Sequence, residues 1–333
     1  MPEPGYLRVA DTSTALAALT QYGRSARLIA GGTDLVNLIK EGIERPAVLV
    51  DIGRLPLDTV QADGNGLRIG ALTTMSAAAG DPALRSGYPA VVEALELSAS
   101  PQIRNAATIG GNLLQRTRCP YYRAETKLPC NKRQPGSGCA ARSGYDRTLA
   151  VIGWSDACRA CHPSDLAVAL VALNAELTIH SPRGSRTVPL AAFYRLPGET
   201  PERDSVLEPD EIVIAVRVPP SPAAACSGYL KVRERAPYEF GLVSAAVAVE
   251  ADGTMIRDVR ICLGGVAARP WRLYEVERYL VGRQLTESVV REALALALAD
   301  ARPLKSNGFK IELARRAACR ALLELRGRGA VSK

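Results

Sequence analysis

The sequence predicts an α+β protein with an α/β unit at the N-terminus, a second mixed unit and an α+β domain at the C-terminus. Three observations support this prediction. Helical and strand patterns alternate through the first fifty residues, they become shorter and mixed from Leu67, and strands precede helices after the Pro-Pro-Ser-Pro stretch at residues 219–222. The 333 residues, 47% apolar and 23% charged, provide enough chain for about two domains with sizeable cores.

The first unit, residues 1–56, is predicted to be a small sheet with helices. Apolar residues recur with helical spacing over residues 12–22, after a Thr/Ser start, and again over residues 35–40. Residues 27–30 and 47–51 are predicted strands because both runs are short and apolar, and the second is also β-branched. Since helices and strands alternate, we expect the strands to be parallel.

The second unit, residues 57–220, is predicted to combine short strands with short helices. The predicted strands are residues 67–71, 176–180 and 211–218, and the predicted helices are residues 89–97 and 166–173. An insertion, residues 115–161, lies within this unit; most of it lacks periodicity and is rich in proline and glycine. We therefore expect something other than a hydrophobic core to hold the insertion in place.

The C-terminal domain, residues 226–328, follows the proline-rich boundary. Its predicted strands are residues 228–233, 242–250 and 256–263, and its predicted helices are residues 272–281, 286–299 and 308–325. The longest apolar run, residues 166–173, is far shorter than a membrane span, and the N-terminal residues do not resemble a secretion signal. We expect neither a membrane anchor nor a secretion signal in this chain.

Basic residues and cysteines are concentrated in the insertion. The chain carries 42 basic and 34 acidic residues, a net charge of +8, and residues 116–147 alone hold eight bases and two acids, a local +6. Because one segment supplies most of the excess charge, we do not expect a nucleic-acid partner. Five of the eight cysteines lie in or just after this segment. The other three, Cys226, Cys262 and Cys319, lie in apolar contexts where buried thiols are expected.

Two loops with paired glycines predict an anion site. In the first, Gly31 and Gly32 connect a strand to a helix whose N-cap is Thr33 or Asp34. Backbone N–H groups at a helix N-terminus attract anions, so this loop suits one phosphate. The second loop is Ala107-Thr108-Ile109-Gly110-Gly111-Asn112. The two loops could each hold half of a pyrophosphate, which predicts a dinucleotide; the alternative is two unrelated tight turns.

The five cysteines of the insertion predict a metal centre. Cys119, Cys130, Cys139, Cys158 and Cys161 are spaced C-x10-C-x8-C-x18-C-x2-C. Four thiolates from a loop suit tetrahedral zinc or an iron–sulfur cluster, and either metal centre would order the segment. Zinc ribbons usually pair their cysteines in two C-x2-C knuckles, and only one such pair occurs here, which favours iron–sulfur. The alternative is a zinc-ordered module that binds nucleic acid through its basic residues.

Hydrolytic chemistry has no support in the sequence. Only two histidines occur, His162 and His180, and no nucleophile elbow or His-Glu-x-x-His pattern is present. His162 is interpreted as a loop residue. Ser164 or Asp165 can cap the helix that follows, and the Asp165 carboxylate could instead accept a hydrogen bond from a ribose hydroxyl. Both interpretations of Asp165 stay open.

Three segments together resemble a known family. Residues 29–35, residues 108–112 and the stretch Pro163-Ser164-Asp165-Leu166 are similar to the FAD-binding subunit, or middle domain, of molybdenum hydroxylases of the xanthine dehydrogenase, carbon monoxide dehydrogenase and aldehyde oxidoreductase type. The resemblance covers essentially the whole chain. It implies a vanillyl-alcohol-oxidase-type (PCMH) FAD-binding domain over residues 1–220, and a CO-dehydrogenase-flavoprotein-like domain of three antiparallel strands and a helical bundle over residues 226–328.

The resemblance also implies which residues bind FAD. Those implied to hold the FAD pyrophosphate are Ile29, Ala30, Gly31, Gly32, Thr33, Asp34, Leu35, Thr108, Gly111 and Asn112. Asp165 would lie on the ribose or ribityl side, Leu207 would touch the adenine, and Lys231 would approach the flavin. A cation near the flavin N1 or O2 stabilises the reduced anionic form, which gives Lys231 a physical rationale. The alternative for Lys231 is a solvated lysine on an edge strand.

The insertion is similar to that of the FAD subunit of bacterial periplasmic aldehyde oxidoreductases, which carries an additional [4Fe–4S] cluster. The 4-hydroxybenzoyl-CoA reductase β subunit has a cluster in a comparable insertion. The implied metal ligands are Cys119, Cys130, Cys139 and Cys158, with Cys161 as the spare thiol.

The implied function is electron transfer in an aldehyde-oxidising heterotrimer. Electrons would pass from a molybdenum-cofactor large subunit, through [2Fe–2S] centres on a small subunit, to FAD here and then to an external acceptor. No catalytic acid or base is expected in this chain. Alternatives are the flavin subunit of an acyl-CoA reductase, with electrons running the other way, and a free-standing flavin oxidase. The expected compartment is the cytoplasm, or the periplasm by co-export with a partner that bears a twin-arginine signal.

Overall fold

The structure, a computed structural model, describes residues 3–235 and 238–327. The predicted domain ends at residues 1 and 328 lie outside this range. The strands are β1 (Gly5–Arg8), β2 (Ala26–Ile29), β3 (Val48–Asp51), β4 (Val60–Ala62), β5 (Leu67–Gly70), β6 (Glu176–Ser181), β7 (Gly184–Pro189), β8 (Ile212–Val218), β9 (Ser227–Val232), β10 (Val243–Asp252), β11 (Met255–Gly264) and β12 (Trp271–Arg272).

The helices are α1 (Thr12–Tyr22), α2 (Leu35–Lys40), α3 (Met75–Gly80), α4 (Pro82–Gly87), α5 (Pro89–Glu96), α6 (Pro101–Ala106), α7 (Ile109–Leu113), α8 (Pro120–Arg123), α9 (Asp165–Ala172), α10 (Leu190–Phe193), α11 (Pro222–Ala225), α12 (Tyr274–Leu280), α13 (Glu287–Ala295) and α14 (Phe309–Gly327). No helix in the described ranges is both long and apolar enough to cross a membrane.

The first unit contains a parallel sheet in the order β1-β3-β2, as the alternation of patterns predicts. Strand β1 was not predicted, because its four residues are all exposed and carry no buried face. Helix α1 begins where predicted, but Asp11 caps it: the Asp11 carboxylate accepts a hydrogen bond from the Thr14 N–H at 2.7 Å.

The second unit contains an antiparallel sheet in the order β4-β5-β8-β6-β7. Its two outer strands were not predicted, since β4 is three residues long and the residues of β7 are exposed or half-buried. Helix α9 is buried along its whole length in the core of this unit and carries Asp165 at its first position. The Ser164 hydroxyl caps α9 by accepting from the Ala167 N–H at 3.0 Å, so Ser164 is the N-cap.

The C-terminal domain contains an antiparallel sheet in the order β12-β11-β10-β9, covered by α14 and joined by α12 and α13. The sheet has four strands where three were expected, because the two-residue β12 pairs with Cys262 and Leu263 of β11. A strand that short has no periodicity to read. Cys262 and Cys319 are buried, as expected of packing thiols.

The second unit and the C-terminal domain pack directly on each other. Helices α5 and α9 lie against strands β9 and β10. The insertion contributes α8 and a short 3-10 turn at Ala140–Arg142. Tyr122 and Cys130 form a small apolar cluster with Leu38, and Val151 and Ile152 pack into the core of the C-terminal domain. The insertion therefore has no core of its own and packs on the first unit and on the C-terminal domain.

Candidate functional site

A cavity of about 470 Å³ lies between the first and second units. Its volume is within the range that binds organic ligands. Ten of the residues expected to bind a cofactor lie in its wall: Ile29, Ala30, Gly31, Gly32, Thr33, Asp34, Leu35, Thr108, Gly111 and Leu207. The other side of the wall includes His162, Phe193, Tyr194, Ile212 and Val213.

The first glycine loop leaves β2 and enters α2. A β-carbon on Gly31 would lie 1.8 Å from the Ala106 carbonyl oxygen, so no larger residue fits there without moving the loop. Gly32 has φ +68°, a conformation that glycine adopts at little cost. Within the described ranges, the N–H groups of Gly31, Gly32, Thr33 and Asp34 donate no hydrogen bond. The loop therefore offers free donors along one side of the cavity.

The second loop differs, because its backbone donors are already used. The N–H of Ile109 donates to Thr73 O at 2.9 Å, and that of Gly110 donates to Ala71 O at 2.8 Å. The N–H groups of Gly111 and Asn112 donate to the side chain and the carbonyl of Thr108, at 3.1 and 2.8 Å. Thr108 and Gly111 thus form a wall, and the expected division of a pyrophosphate between two equivalent loops is not what this geometry favours.

Asp34 connects the first loop to the insertion. Its carboxylate accepts hydrogen bonds from the Arg116 N–H at 2.9 Å, from Arg123 at 2.8 Å and from Arg118. Burial disfavours the charged form, yet the two guanidinium groups hold the pKa of Asp34 below its ordinary value. Asp34 occupies the cap position of α2 without a side-chain cap bond. The predicted N-cap position is therefore confirmed, but the Asp34 side chain does not cap the helix, because the arginines occupy its oxygens.

Asn112, Asp165 and Lys231 lie outside the cavity wall. Asp165 pairs with Lys231, and Asn112 bonds to Ser164, the residue before Asp165. The Asn112 amide oxygen accepts from the Ser164 hydroxyl at 2.6 Å. Asp165 accepts from Tyr229 at 2.5 Å, from Lys231 at 2.8 Å and from Ser98 at 3.0 Å. Lys231 lies on the edge strand β9, as the alternative expects, but its side chain is only 2% exposed and is therefore not solvated. The fold brings these groups together from three segments that are far apart in the sequence.

His162, Arg116 and Asp204 line the cavity, although the sequence analysis did not place them in the site. The Arg116 guanidinium lies 2.9 Å from Asp204 and 3.8 Å from Glu44. Asp204 also pairs with Lys132, which is 8% exposed, and these two cations hold the pKa of Asp204 below its ordinary value although burial opposes this. The position of His162 directly before the Pro-Ser-Asp-Leu motif was the one available signal.

Acidic residues elsewhere in the chain pair with most of the bases in the insertion. The ion pairs are Arg116 with Glu44 and Asp204, Arg118 with Asp34, Arg123 with Asp34 and Glu41, Lys132 with Asp204, and Arg147 with Glu234. The local +6 of the sequence is therefore largely neutralised in the folded protein. These pairs hold the insertion against the first unit through Asp34, Glu41 and Glu44, against the second unit through Asp204 and against the C-terminal domain through Glu234.

Four of the five insertion cysteines are neighbours. Burial raises the pKa of the Cys119 thiol to about 12, while the N–H groups of Tyr122 and Tyr121 oppose the rise and Cys158 and Cys130 add to it. Cys130 faces Cys139 across an isolated bridge. Across residues 3–235 and 238–327, no three His, Cys, Asp or Glu side chains have the arrangement of a single metal-ion site.

Cys161 has a different environment. Its Sγ lies 3.0 Å from the Gly265 carbonyl oxygen and 3.9 Å from the Lys310 ammonium, and Lys310 is fully buried. Burial raises the pKa of the Cys161 thiol, and the Lys310 charge opposes that rise. Cys161 therefore belongs to the contact between the insertion and α14.

The comparisons with known proteins identify the family. Residues 2–221 match the family described as the FAD binding domain in molybdopterin dehydrogenase, and residues 228–325 match the CO dehydrogenase flavoprotein C-terminal domain. The aldehyde oxidoreductase FAD-binding subunit of Escherichia coli (strain K12) is 44% identical over 324 residues, which cover 96% of this chain and 98% of that protein. The chain belongs to the molybdopterin dehydrogenase FAD-binding family.

Members of this FAD-binding family with lower identity share the whole architecture. The carbon monoxide dehydrogenase medium chain of Hydrogenophaga pseudoflava is 27% identical over 290 residues, 87% of this chain and 84% of that protein. A solved carbon monoxide dehydrogenase from the same organism superposes with a TM-score of 0.76 and 26% identity over 98% of both chains. The expected family, fold class and FAD cofactor are confirmed. This chain is an FAD-binding oxidoreductase subunit of a molybdenum hydroxylase, and the nucleic-acid and acyl-CoA reductase alternatives are not favoured.

In this FAD-binding domain, replacing Asp34 by asparagine is expected to destabilise the fold by about 3 kcal/mol at pH 7, because Arg118 and Arg123 lose their buried counter-charge. The measurement is urea unfolding at several pH values. The stabilisation exists above the carboxyl's unfolded pKa of about 3.9 and is lost as the pH falls through the lower folded pKa. The two proteins should therefore converge in acid.

Asp63→Asn is the matched control for this prediction. Asp63 pairs with Arg217 at 2.7 Å on the surface, where an ion pair contributes about 0–1 kcal/mol. An Asp34→Asn protein as stable as Asp63→Asn at pH 7 would contradict the assignment of Asp34 as the anchor of the insertion.

Proposed function

We propose that this chain is the FAD- and [4Fe–4S]-carrying electron-transfer subunit of a molybdenum hydroxylase that oxidises aldehydes to carboxylic acids. The observation that carries the proposal is the 44% identity, over 96% of the chain, with a subunit of an aldehyde oxidoreductase. The relatives named for other substrates have lower identity, 27% for a carbon monoxide dehydrogenase and 29% for a nicotinate dehydrogenase.

The FAD site is proposed to follow the cavity. The free N–H groups of Gly31, Gly32 and Thr33 fit the pyrophosphate, because oriented backbone donors bind anions without bringing side-chain bulk. Thr108 and Gly111 form the facing wall, and Leu207 offers apolar contact to the adenine. FAD, when bound, supplies a carrier that takes up electrons from one centre and passes them to another.

Asn112, Asp165 and Lys231 are proposed to serve the flavin end of FAD. The Lys231 ammonium is buried, and its partner Asp165 holds it 2.8 Å away. A buried cation held in this way would favour the reduced anionic flavin. Asp165 would then act mainly by positioning Lys231, since hydrogen bonds from Ser98, Tyr229 and Lys231 already occupy its two oxygens.

The cluster site is proposed to use Cys119, Cys130, Cys139 and Cys158. The fold brings these four cysteines close together, and only one C-x2-C pair occurs among the cysteines of the insertion, which favours a four-iron cluster over a zinc ribbon. Burial raises the pKa of the Cys158 thiol, and the Lys132 charge opposes that rise. Lys132 could therefore compensate the charge of a cluster. Cys161 is proposed to be the spare thiol.

The proposed partners are a large subunit with the molybdenum cofactor and a small subunit with [2Fe–2S] centres, in a heterotrimer that delivers electrons to an external acceptor. The aldehyde would react on the large subunit, so this chain needs no acid or base of its own. Its compartment would be that of the partner that carries an export signal, or the cytoplasm where none does.

The test is an anaerobic absorbance spectrum of the purified complex, with iron, zinc and flavin assayed on the same sample. About four irons above those of the [2Fe–2S] centres, and one FAD, are expected per copy of this chain. Zinc in place of those irons would overturn the cluster assignment. Addition of an aldehyde should bleach the flavin absorbance, and a flavin that stays oxidised with a range of aldehydes would overturn the substrate class.

A further inference from the structure

His162 is a half-buried polar side chain that has no role in the proposed function. It lies in the chain between Cys158 and Asp165 and forms part of the cavity wall. Its backbone N–H donates to the Ala267 carbonyl at 2.9 Å, which attaches this wall to the C-terminal domain. The C-terminal domain therefore fixes the backbone at His162, which gives the side chain a defined position.

Two contacts fix the orientation of the imidazole ring. The Nδ1 atom accepts a hydrogen bond from the Ser164 N–H at 3.3 Å. The ring lies 4.3 Å from the Tyr194 ring, centroid to centroid, and the Tyr194 hydroxyl donates to the Leu113 carbonyl at 3.1 Å. Because Nδ1 accepts, the proton of the neutral ring resides on Nε2. Within the part of the chain that the structure describes, this Nε2–H donates to no acceptor.

The surroundings keep the ring neutral. Burial lowers the pKa of His162 to about 4, Asp204 opposes the change and Lys132 adds to it. An uncharged N–H donor without a partner in the protein, on a side chain that lines the cavity, can hydrogen-bond to water or to a ligand that enters the cavity. The environment thus fits a ligand with an acceptor atom at this point.

We propose that the Nε2–H of His162 donates a hydrogen bond to the adenosine diphosphate half of FAD. This inference rests on the proposed FAD site. His162 shares the cavity wall with the free donors of the first glycine loop and with Leu207, and Asp165 and Lys231 lie outside that wall. The His162 Nε2–H is therefore on the phosphate and adenine side of the site. His162 is neutral there, whereas Arg116 and Asp204 of the same wall are charged.

The test is the rate of FAD release from the diluted complex, followed by flavin fluorescence, for His162→Leu, His162→Gln and the unaltered protein. Loss of one hydrogen bond is expected to speed release about tenfold in His162→Leu. The glutamine amide retains a donor, so His162→Gln should fall between the two. His180→Leu is the matched control, because His180 lies on β6 outside the cavity and should release FAD at the unaltered rate.

Unaltered release from a folded His162→Leu protein would overturn the inference. If that variant fails to fold, ¹⁵N-histidine labelling of the His180→Leu protein leaves one histidine signal, that of His162. The Nε2–H signal should then shift when FAD is removed, and a signal that does not move would also overturn the inference. A complex that contains no FAD at all would instead reject the proposed function, so the two failures are distinguishable.

Discussion

Gly31→Ala is expected to remove FAD almost completely from the purified protein. The new β-carbon would lie 1.8 Å from the Ala106 carbonyl oxygen and 2.6 Å from its carbon, far inside contact distance. Both atoms are backbone at the end of α6, and the next residue, Ala107, bonds to Ile103 and Met75, so they cannot move aside cheaply. The loop itself must shift, and with it the free N–H donors of Gly31 and Gly32.

The measurement is FAD absorbance per chain, together with the thermal midpoint. We expect at least a tenfold loss of bound FAD and a destabilisation of about 1–3 kcal/mol from overpacking. Gly80→Ala is the matched control, since a β-carbon there meets nothing within 4 Å and Gly80 does not have a positive φ. A Gly31→Ala protein with a full complement of FAD would mean that the first glycine loop does not hold the cofactor.

Cys158→Ser is expected to remove the cluster irons, while Cys161→Ser is expected to keep them. Cys158 is a close neighbour of Cys139 and Cys130, so its loss leaves three thiolates for a centre that needs four. Cys161 instead contacts the Gly265 carbonyl and the Lys310 ammonium, and a serine hydroxyl can hydrogen-bond to both.

The measurement is iron and acid-labile sulfide per chain, with the cluster's paramagnetic resonance signal after reduction. The two serine variants control for each other, because they are three residues apart and change the same atom. Full iron in Cys158→Ser with loss in Cys161→Ser would exchange the two assignments. Full iron in both variants would show that neither thiol is a ligand.

The sequence predicts many of the elements with buried faces, but it misses edge strands and several short helices, such as α3 and α7, although both have buried residues. Helices α1 and α2 have the predicted limits, because their apolar residues recur with helical spacing and face a core. Strands β1 and β4 carry mostly exposed residues, and β12 is two residues long, so none of them has a pattern to detect. Their positions depend on pairing with strands elsewhere in the chain.

The candidate site likewise has a part that the sequence predicts and a part that it does not. The first glycine loop is local, and its backbone requirement can be seen in two adjacent residues. The pairing of Asp165 with Lys231 joins residues 66 positions apart, and the pairing of Asp34 with Arg123 joins residues 89 apart. Charge counting along the chain could not detect either pair, and for this reason it overstated the free positive charge of the insertion.

Asp34 has a consequence for how the subunit is assembled. One carboxylate belongs to the loop proposed to hold FAD and also receives the arginines that hold the cysteine segment. A ligand that orders the glycine loop therefore reduces the free energy needed to order the insertion. By thermodynamic linkage, a metal centre that orders the insertion has the same effect on the loop. Binding of FAD and of the proposed cluster would then be cooperative during maturation. A chain that has failed to acquire one of them is also a poor acceptor for the other, which disfavours half-loaded subunits.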